Sequence, residues 1–287
     1  MHLDAPPWLA ALHEGTPADD DPVAWNLAGL LQGWERWPEG MDFLDPASPN
    51  FAWKRLETAL YADLWGDLFA APGLDVLDAA CGSGRMVVPL AEAGHRVVGV
   101  DACRPSLEAT ARHLEARGLQ AELHWADVRA FEGGPFDRIL ALELLCYLPD
   151  APAAATHLAS LLKPGGTLVM TVEAWPGALL ADPTGLEPAS LPAALESRVL
   201  SQPGERWLRA SDRAEVEAIL AAAGLEVQSI EGTHYLPDGP LGGVLDLQRL
   251  DDEGYTEAIL AAERAARQHP AIAALPRAWL AIATRTR

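Results

Sequence analysis

The sequence predicts an α/β domain on a mostly parallel sheet, preceded by a separate helical segment. From Leu74 onward, short apolar runs alternate with amphipathic segments of about ten residues or more. Such alternation is typical of right-handed βαβ crossovers, which cover both faces of a parallel sheet. Before residue 70 the spacing is helical only and is interrupted by prolines. We therefore divide the chain into an accessory segment, 1–70, and a main domain, 71–287.

The individual elements follow from apolar periodicity and from glycine and proline punctuation. Strands are predicted at 74–79, 96–101, 120–125, 136–142, 167–173, 225–231 and 278–284. Helices are predicted at 23–34, 51–69, 84–93, 105–117, 152–162, 212–223 and 255–268. Two irregular stretches, at about 175–209 and 235–276, are predicted as insertions at the end of the sheet, where ligands bind.

Composition and charge exclude several classes of protein. Apolar residues make up 49% of the chain, which is ordinary for a globular protein and unlike a disordered one. The net charge of −20 comes from 41 acidic and 21 basic residues. Such a surface repels phosphate backbones and anionic lipids, so we expect neither nucleic acid nor membrane as a partner.

Cysteine usage and the N-terminus indicate a cytoplasmic protein. Cys81, Cys103 and Cys146 are widely spaced in apolar or glycine-rich surroundings, so neither a disulfide framework nor a metal site is expected. The N-terminus lacks the basic start and apolar run of a signal peptide. No run of about 18 apolar residues, as a membrane span requires, is present.

The central motif is a glycine-containing turn between a strand and a helix, in the sequence VLDAACGSGR at 76–85. Gly82 and Gly84 permit positive φ and allow a ligand to come close to the backbone. The helix that follows offers unpaired N–H groups and a partial positive charge. Such a turn can bind either a dinucleotide pyrophosphate or the carboxylate of an amino acid.

Three further residues help to choose between these ligands. A nicotinamide site requires a third glycine three residues after the second, and Val87 occupies that position. Asp101 ends the second strand, where an acidic side chain can accept hydrogen bonds from ribose hydroxyls. Asp127, just after the third strand, could accept from an adenine amino group. The alternatives are a solvated strand end for Asp101 and a helix cap for Asp127.

These residues resemble the class I S-adenosylmethionine-dependent methyltransferases. The matching segments are LDAACGSGR (77–85), VVGVD (97–101), AD (126–127), FDRILALELLCYL (136–148) and LKPGGTLVM (162–170). The resemblance implies a Rossmann-like, seven-stranded, mostly parallel sheet with helices on both faces and an antiparallel last strand. It also implies that the N-terminal helices form a lid, and that the chain binds S-adenosylmethionine and releases S-adenosylhomocysteine.

The family pattern implies roles for particular residues in this sequence. The pocket for the methionine part of the cofactor would be formed by Asp78, Ala80, Gly82 and Gly84. Asp101 would hold the ribose. The adenine would be contacted by Ala102 or Cys103 on one side and by Asp127 and Val128 at its edge. Glu143, at the end of the fourth strand, would face the methyl group and the substrate.

Methyl transfer from a sulfonium requires mainly alignment and exclusion of water, and a general base only when the nucleophile arrives protonated. The predicted catalytic residues are Glu143, Tyr147 and His234, and Glu173 and Tyr61 are further candidates. For each of them, local packing or hydrogen bonding is the alternative interpretation. We expect a small-molecule acceptor that is methylated on nitrogen or oxygen.

The N-terminal tryptophans slightly favour an amine acceptor. Six of the ten tryptophans precede residue 70, and aromatic faces bind cations by cation–π attraction. Tryptophans at helical spacing, such as Trp34 and Trp37, are also typical of a core.

Two alternatives remain open at the level of the sequence: a non-catalytic sensor of S-adenosylmethionine, and another enzyme that uses this cofactor on the same fold. Methylation of nucleic-acid bases is disfavoured by the charge. It is also disfavoured because the segment after the fourth strand begins Glu143-Leu144-Leu145 and lacks the Asn/Asp-Pro-Pro-aromatic signature.

Overall fold

A computed structural model describes residues 1–2, 5–16, 21–181, 187–200 and 207–286. Seven strands in these ranges form one sheet in the order β3-β2-β1-β4-β5-β7-β6. β1 to β5 are parallel, whereas β7 runs antiparallel to both of its neighbours, β5 and β6. The strands are β1 (Asp75–Ala79), β2 (Arg96–Asp101), β3 (Glu122–Trp125), β4 (Phe136–Ala141), β5 (Leu162–Glu173), β6 (Leu225–Thr233) and β7 (Ala278–Arg285). The predicted sheet is confirmed.

Helices lie before the first strand and along both faces of the sheet. They are α1 (Pro7–His13), α2 (Pro22–Arg36), α3 (Pro38–Met41), α4 (Phe51–Trp65), α5 (Val87–Glu92), α6 (Arg104–Arg117), α7 (Ala151–Ser160), α8 (Gly177–Ala181), α9 (Leu191–Ser197), α10 (Arg213–Ala222) and α11 (Tyr255–Gln268). Local sequence sets several boundaries. Asp212 and Glu215 form a reciprocal capping box at the start of α10, and Gly118 ends α6 in the left-handed conformation.

The core consists of two apolar layers, one on each face of the sheet. The consecutive residues Val76 and Leu77 of β1 are both fully buried, but they belong to different layers because side chains alternate along a strand. One layer includes residues of α7 and α10, and the other includes residues of α1, α2, α5 and α6. β1 is therefore a central strand covered on both sides, as expected for a parallel sheet.

The structure corrects several predicted boundaries. The helix predicted from Gly84 begins at Val87, because residues 82–86 form turns around the glycines. The fifth strand begins at Leu162 rather than Thr167, since the predicted Lys-Pro-Gly-Gly turn lies within its extended span. The first helix, α1, was not predicted from the sequence. Within the first predicted insertion, residues 182–186 and 201–206 lie outside the described residues.

The N-terminal helices pack against the main domain. α2 lies against α6, where the Trp34 indole N–H donates a 2.8 Å hydrogen bond to Ser106 Oγ. α4 packs beside α11 and the ends of β6 and β7. Within the described ranges, no helix combines the length and the apolar character needed to cross a membrane.

Candidate active site

The glycine turn lies at the carboxyl end of the central strand β1. Ala80, Gly82 and Gly84 have φ values of 66°, 55° and 91°, so the backbone doubles back before α5 begins. A Cβ atom on Gly84 would lie 2.8 Å from Thr110 Cγ2, which explains why this position needs glycine for space as well as conformation. The turn thereby presents its backbone at the end of the sheet where ligands bind in such folds.

Asp101 is joined directly to this turn. Its Oδ2 accepts a 2.7 Å hydrogen bond from Gly82 N, and its Oδ1 accepts one of 2.7 Å from Cys103 N. Burial raises the pKa of the carboxyl group. The ends of β1 and β2 are thus held together by one carboxylate.

Asp78 lies beneath the turn and is 3% exposed. Its Oδ2 is buried without a hydrogen-bond partner in the described structure. Burial raises the pKa of this carboxyl to about 7, against the opposing charge of Arg85. A buried carboxylate oxygen without a hydrogen-bond partner is a common feature of ligand-binding sites.

Asp127 has a local role as well as a position near the turn. It caps a short 3₁₀ turn by accepting a 2.9 Å hydrogen bond from Arg129 N, and its carboxylate binds the Arg129 guanidinium at 2.7 Å. Asp127 therefore acts as a cap, which is the alternative interpretation that the sequence left open. The Arg129 guanidinium in turn lies 5.8 Å from the centre of the Trp8 ring.

A cavity of about 310 Å³ opens beside the glycine turn. Among its lining residues are seven of those predicted to bind a cofactor, together with Cys103: Ala80, Gly82, Asp101, Ala102, Asp127, Val128 and Glu143. Asp78 and Gly84 do not line it and support the turn from below. α1, α2 and the segment after α3 form the opposite wall, through Trp8, Val23, Asn26, Leu27, Leu30, Met41 and Phe43. We call this space the cofactor cavity.

A second cavity of about 180 Å³ lies next to the first. It is lined by all five residues proposed from the sequence as catalytic candidates: Tyr61, Glu143, Tyr147, Glu173 and His234. Lys54, Glu143 and Tyr147 line both cavities and therefore form the wall between them. We call the second space the acceptor cavity. Trp53 is the tryptophan among its described lining residues.

Four charged side chains form a closed ring of alternating sign at this wall. Arg85 Nη1 lies 2.7 Å from Glu57 Oε2, and Arg85 Nη2 lies 2.8 Å from Glu143 Oε1. Lys54 Nζ completes the ring at 2.9 Å from Glu57 and 3.4 Å from Glu143. Although burial opposes ionisation, Arg85 and Lys54 hold the pKa of Glu57 well below its ordinary value.

His234 projects from the residue after β6 and is 3% exposed, with a φ of 60°. Its Nε2 lies 3.5 Å from Glu57 Oε1, and its Nδ1 is buried without a hydrogen-bond partner in the described structure. Burial lowers the pKa of this imidazole, but Glu57 and neighbouring carboxylates outweigh burial and raise the pKa to about 8. An imidazole that lies beside a carboxylate at one nitrogen and is unpaired at the other is suited to proton transfer.

Glu173 is held by an arginine that sequence reasoning did not single out. Arg277 binds it with both Nε and Nη2, at 2.7 and 3.1 Å. The sequence also gave no prediction of a site role for Lys54, Glu57 or Arg85. One signal was available for Arg85, which directly follows the second glycine of the turn. Lys54 and Glu57 are three residues apart on a predicted helix and give no signal beyond an ordinary ion pair.

The family comparison agrees with this geometry. Residues 76–166 match a family described as a methyltransferase domain, a span that begins in β1 and ends in the first half of β5. It contains the glycine turn, Asp101, Asp127 and Glu143. The chain contains a methyltransferase domain. The resemblance recognised in the sequence is thereby confirmed.

Two relatives named as O-methyltransferases match part of this chain. The ubiquinone biosynthesis O-methyltransferase of Methylocella silvestris is 35% identical over 98 residues, which cover 33% of this chain and 38% of that enzyme. The enzyme of the same name from Xanthomonas campestris pv. campestris is 29% identical over 171 residues, 58% of this chain and 69% of the relative. The chain thus spans well under half the length of the first of these relatives.

Solved structures extend the likeness over nearly the whole chain. The 1,6-didemethyltoxoflavin-N1-methyltransferase of Burkholderia thailandensis, crystallised with 1,6-didemethyltoxoflavin and S-adenosylhomocysteine, matches with a TM-score of 0.57. The match covers 95% of this chain and 93% of that chain at 18% sequence identity. At this level of identity, the comparison establishes a shared fold.

Proposed function

We propose that this chain is an S-adenosylmethionine-dependent methyltransferase that methylates a hydroxyl group of a small molecule. The observation that carries the proposal is the pair of adjoining cavities that share Lys54, Glu143 and Tyr147. A protein that only senses the cofactor has no need of a second cavity beside the first. The names of the O-methyltransferase relatives also support this proposal.

The residues around the first cavity fit S-adenosylmethionine. The turn at Gly82 and Gly84 offers backbone at the end of β1 for the amino-acid part, and Asp101 offers carboxylate oxygens for the ribose. The unpartnered Oδ2 of Asp78 provides an acceptor close to the same turn. When bound, the cofactor supplies an activated methyl group. Val128 and Ala102 would contact the adenine.

The acceptor cavity favours a small neutral group over a cationic amine. At about 180 Å³ it is smaller than the roughly 300–1,000 Å³ typical of drug-sized ligands. Each of its carboxylates lies beside a cationic side chain of the protein: Glu57 and Glu143 beside Arg85, and Glu173 and Asp238 beside Arg277. The face of the Tyr61 ring is also occupied, since the Arg85 guanidinium lies 5.5 Å from its centre. An incoming amine cation would therefore find these carboxylates already neutralised.

His234 is the side chain best suited to activate a hydroxyl. With its Nε2 beside Glu57, the neutral ring carries its proton on Nε2 and presents a lone pair at Nδ1. As the acceptor O–H bond breaks, the proton forms a bond to Nδ1 and the oxygen keeps the electron pair as nucleophile. Glu57 stabilises the resulting imidazolium. Glu143 and Tyr147, at the wall, would orient the acceptor oxygen.

The N-terminal helices would act as a lid over the cofactor. α1 and α2 supply one wall of the cofactor cavity, and that wall is tied to the main domain by hydrogen bonds at Trp34 and Phe43. Because α1 and α2 lie outside the sheet, opening this wall would expose the cavity and leave the strands paired.

Calorimetric titration tests the cofactor assignment. We expect S-adenosylhomocysteine to bind with micromolar affinity and NAD to show no binding. Asp101→Asn should weaken S-adenosylhomocysteine at least tenfold, because a charge-assisted acceptor is lost, whereas Glu108→Gln, at an exposed position on α6, should not. Absence of binding by wild type at 1 mM S-adenosylhomocysteine would overturn the proposal.

A screen of matched small phenols and anilines, monitored by transfer of a labelled methyl group, then tests the acceptor class. Methylation of anilines with no activity on phenols would disprove the hydroxyl assignment and leave the cofactor assignment intact. Tight cofactor binding with no transfer to any acceptor class would favour a sensor.

A further inference from the structure

Three side chains of metal-binding type meet at the outer edge of the sheet, away from both cavities. They are His2, and Glu122 and His124 of the edge strand β3. Their potential ligand atoms all lie within 4.8 Å of one another. Neither cavity is lined by any of the three.

The two imidazoles converge on one carboxylate oxygen. His124 Nε2 lies 2.8 Å from Glu122 Oε1, and His2 Nε2 lies 3.5 Å from the same oxygen. The imidazole rings are stacked, with centres 4.5 Å apart and planes inclined by 12°. Two nitrogen donors and one oxygen donor therefore lie close together at this edge of the sheet.

The positions of these side chains are fixed by the backbone. His2 N donates a 2.7 Å hydrogen bond to Leu123 O, and Trp125 N donates one of 3.0 Å to His2 O. His2 thus forms an isolated parallel bridge with His124 of β3. The His124 ring also packs edge-on against Phe131, with ring centres 5.0 Å apart. Contacts outside the cluster therefore hold His2 and His124 in place.

We propose that His2, Glu122 and His124 bind a divalent transition metal, with zinc as the reference ion. Two imidazoles and a carboxylate are ligands that zinc accepts at about 2.0–2.2 Å, which places ligand atoms about 3.3 Å apart in a tetrahedral site. To reach this geometry the ligand atoms must move closer and the His2 ring must turn out of its stack on His124. The exposed side chains of His2 and Glu122 leave room for both movements. Water would complete the coordination.

Bound metal would fasten the start of the chain to the strand that leads into the cofactor cavity. β3 ends at Trp125, whose indole N–H donates a 2.9 Å hydrogen bond to Ala102 O and whose ring meets His13 of α1. Asp127 and Val128 follow directly. The metal would therefore stabilise both the N-terminal segment and the adenine side of the cavity, and this inference does not depend on the proposed methyl transfer.

The test uses the full chain with its own N-terminus, carrying no affinity tag and first stripped of metal with a chelator. Zinc chloride is titrated calorimetrically, and melting temperature is measured with and without zinc. The variants are His2→Gln and Glu122→Gln, both at exposed positions where folding is not at risk. His269→Gln, an exposed histidine after α11, is the matched control.

We expect one zinc ion to bind wild type and the control alike and to raise their melting temperatures. Each site variant should weaken zinc at least tenfold and lose the thermal shift. The proposal is overturned if wild type binds no zinc at 100 μM, or if the two site variants bind as the control does.

Discussion

Arg85 Nη2 lies 2.8 Å from Glu143 Oε1, so a residue of the glycine turn binds a residue just beyond β4. The same guanidinium holds Glu57 of α4 through its other terminal nitrogen. One side chain thereby links the cofactor turn, the wall between the cavities and an N-terminal helix. Its removal should disturb all three.

We expect Arg85→Met to lower the free energy of unfolding by about 3–5 kcal/mol, because two carboxylates lose the main cation that neutralises them in a buried site. Urea denaturation measures this difference. Arg55→Met is the control, since Arg55 pairs with Asp251 at the surface and should change stability by less than about 1 kcal/mol. Equal free energies of unfolding for the two variants would show that the charge ring contributes no more to stability than a surface ion pair does.

How far the sequence predicts the site depends on how local the relevant pattern is. The turn at Gly82 and Gly84 and the strand-end residue Asp101 were predicted because strand, turn and helix follow one another within 30 residues. The sheet was predicted for the same reason, since each βαβ unit has its own periodicity.

The acceptor cavity, by contrast, depends on long-range pairing. His234 and Glu57 are 177 positions apart in the numbering and meet only because β6 ends beside α4. The sequence suggested His234 as one of several candidates but gave no means of choosing its partner. The charge ring was missed because any Lys and Glu on a helix could equally be a solvated pair.

Asp78 should make stability depend on pH in a definite direction. Its pKa rises from 3.8 to about 7 on folding. The folded state therefore binds the proton more tightly than the unfolded state does. The stabilisation that this proton provides is complete below about pH 4 and is lost as the pH rises to about 7. Relative to Asp78→Asn, wild type without cofactor should lose several kcal/mol of stability between pH 4 and pH 8, because each tenfold difference in proton affinity is worth about 1.4 kcal/mol.

Urea unfolding of both proteins at several pH values measures the effect of Asp78. Asp67→Asn, at an exposed position, is the control, and its stability should equal that of wild type at every pH. If the difference between wild type and Asp78→Asn stays constant with pH, Asp78 does not carry the raised pKa.

Asn26 should control how fast the cofactor leaves. Its side chain makes a two-point contact with Trp207, donating a 2.9 Å hydrogen bond to the carbonyl and accepting one of 2.7 Å from the amide. Because Asn26 also lines the cofactor cavity, this contact joins the proposed lid to the end of the first predicted insertion. Asn26→Ala removes both bonds and leaves buried backbone groups unpaired, at a cost of about 1–3 kcal/mol.

Stopped-flow displacement of S-adenosylhomocysteine measures the role of Asn26. We expect Asn26→Ala to accelerate dissociation about tenfold. Gln32→Ala lies on the same helix with an exposed side chain and should leave the rate unchanged. Identical dissociation rates for the two variants would argue against a lid that opens at this contact.

The pH dependence of methyl transfer tests His234 as the general base. A base works when it is deprotonated, so kcat/KM should rise with pH and level off above the pKa of about 8. His234→Gln should lower kcat by about 10²–10⁴ and abolish this rising limb, with little change in the affinity for S-adenosylhomocysteine.

The Glu57→Gln variant distinguishes an effect of Glu57 on the pKa of His234 from a contribution of Glu57 to folding alone. Glu57 raises the pKa of His234, so its neutralisation should move the rising limb to lower pH by about one pH unit or more, whatever happens to the maximal rate. A variant that is merely less well folded would lose activity at every pH without moving the limb. A limb at unchanged pH in Glu57→Gln, measured on folded protein, would therefore exclude the Glu57–His234 pair as the source of the base.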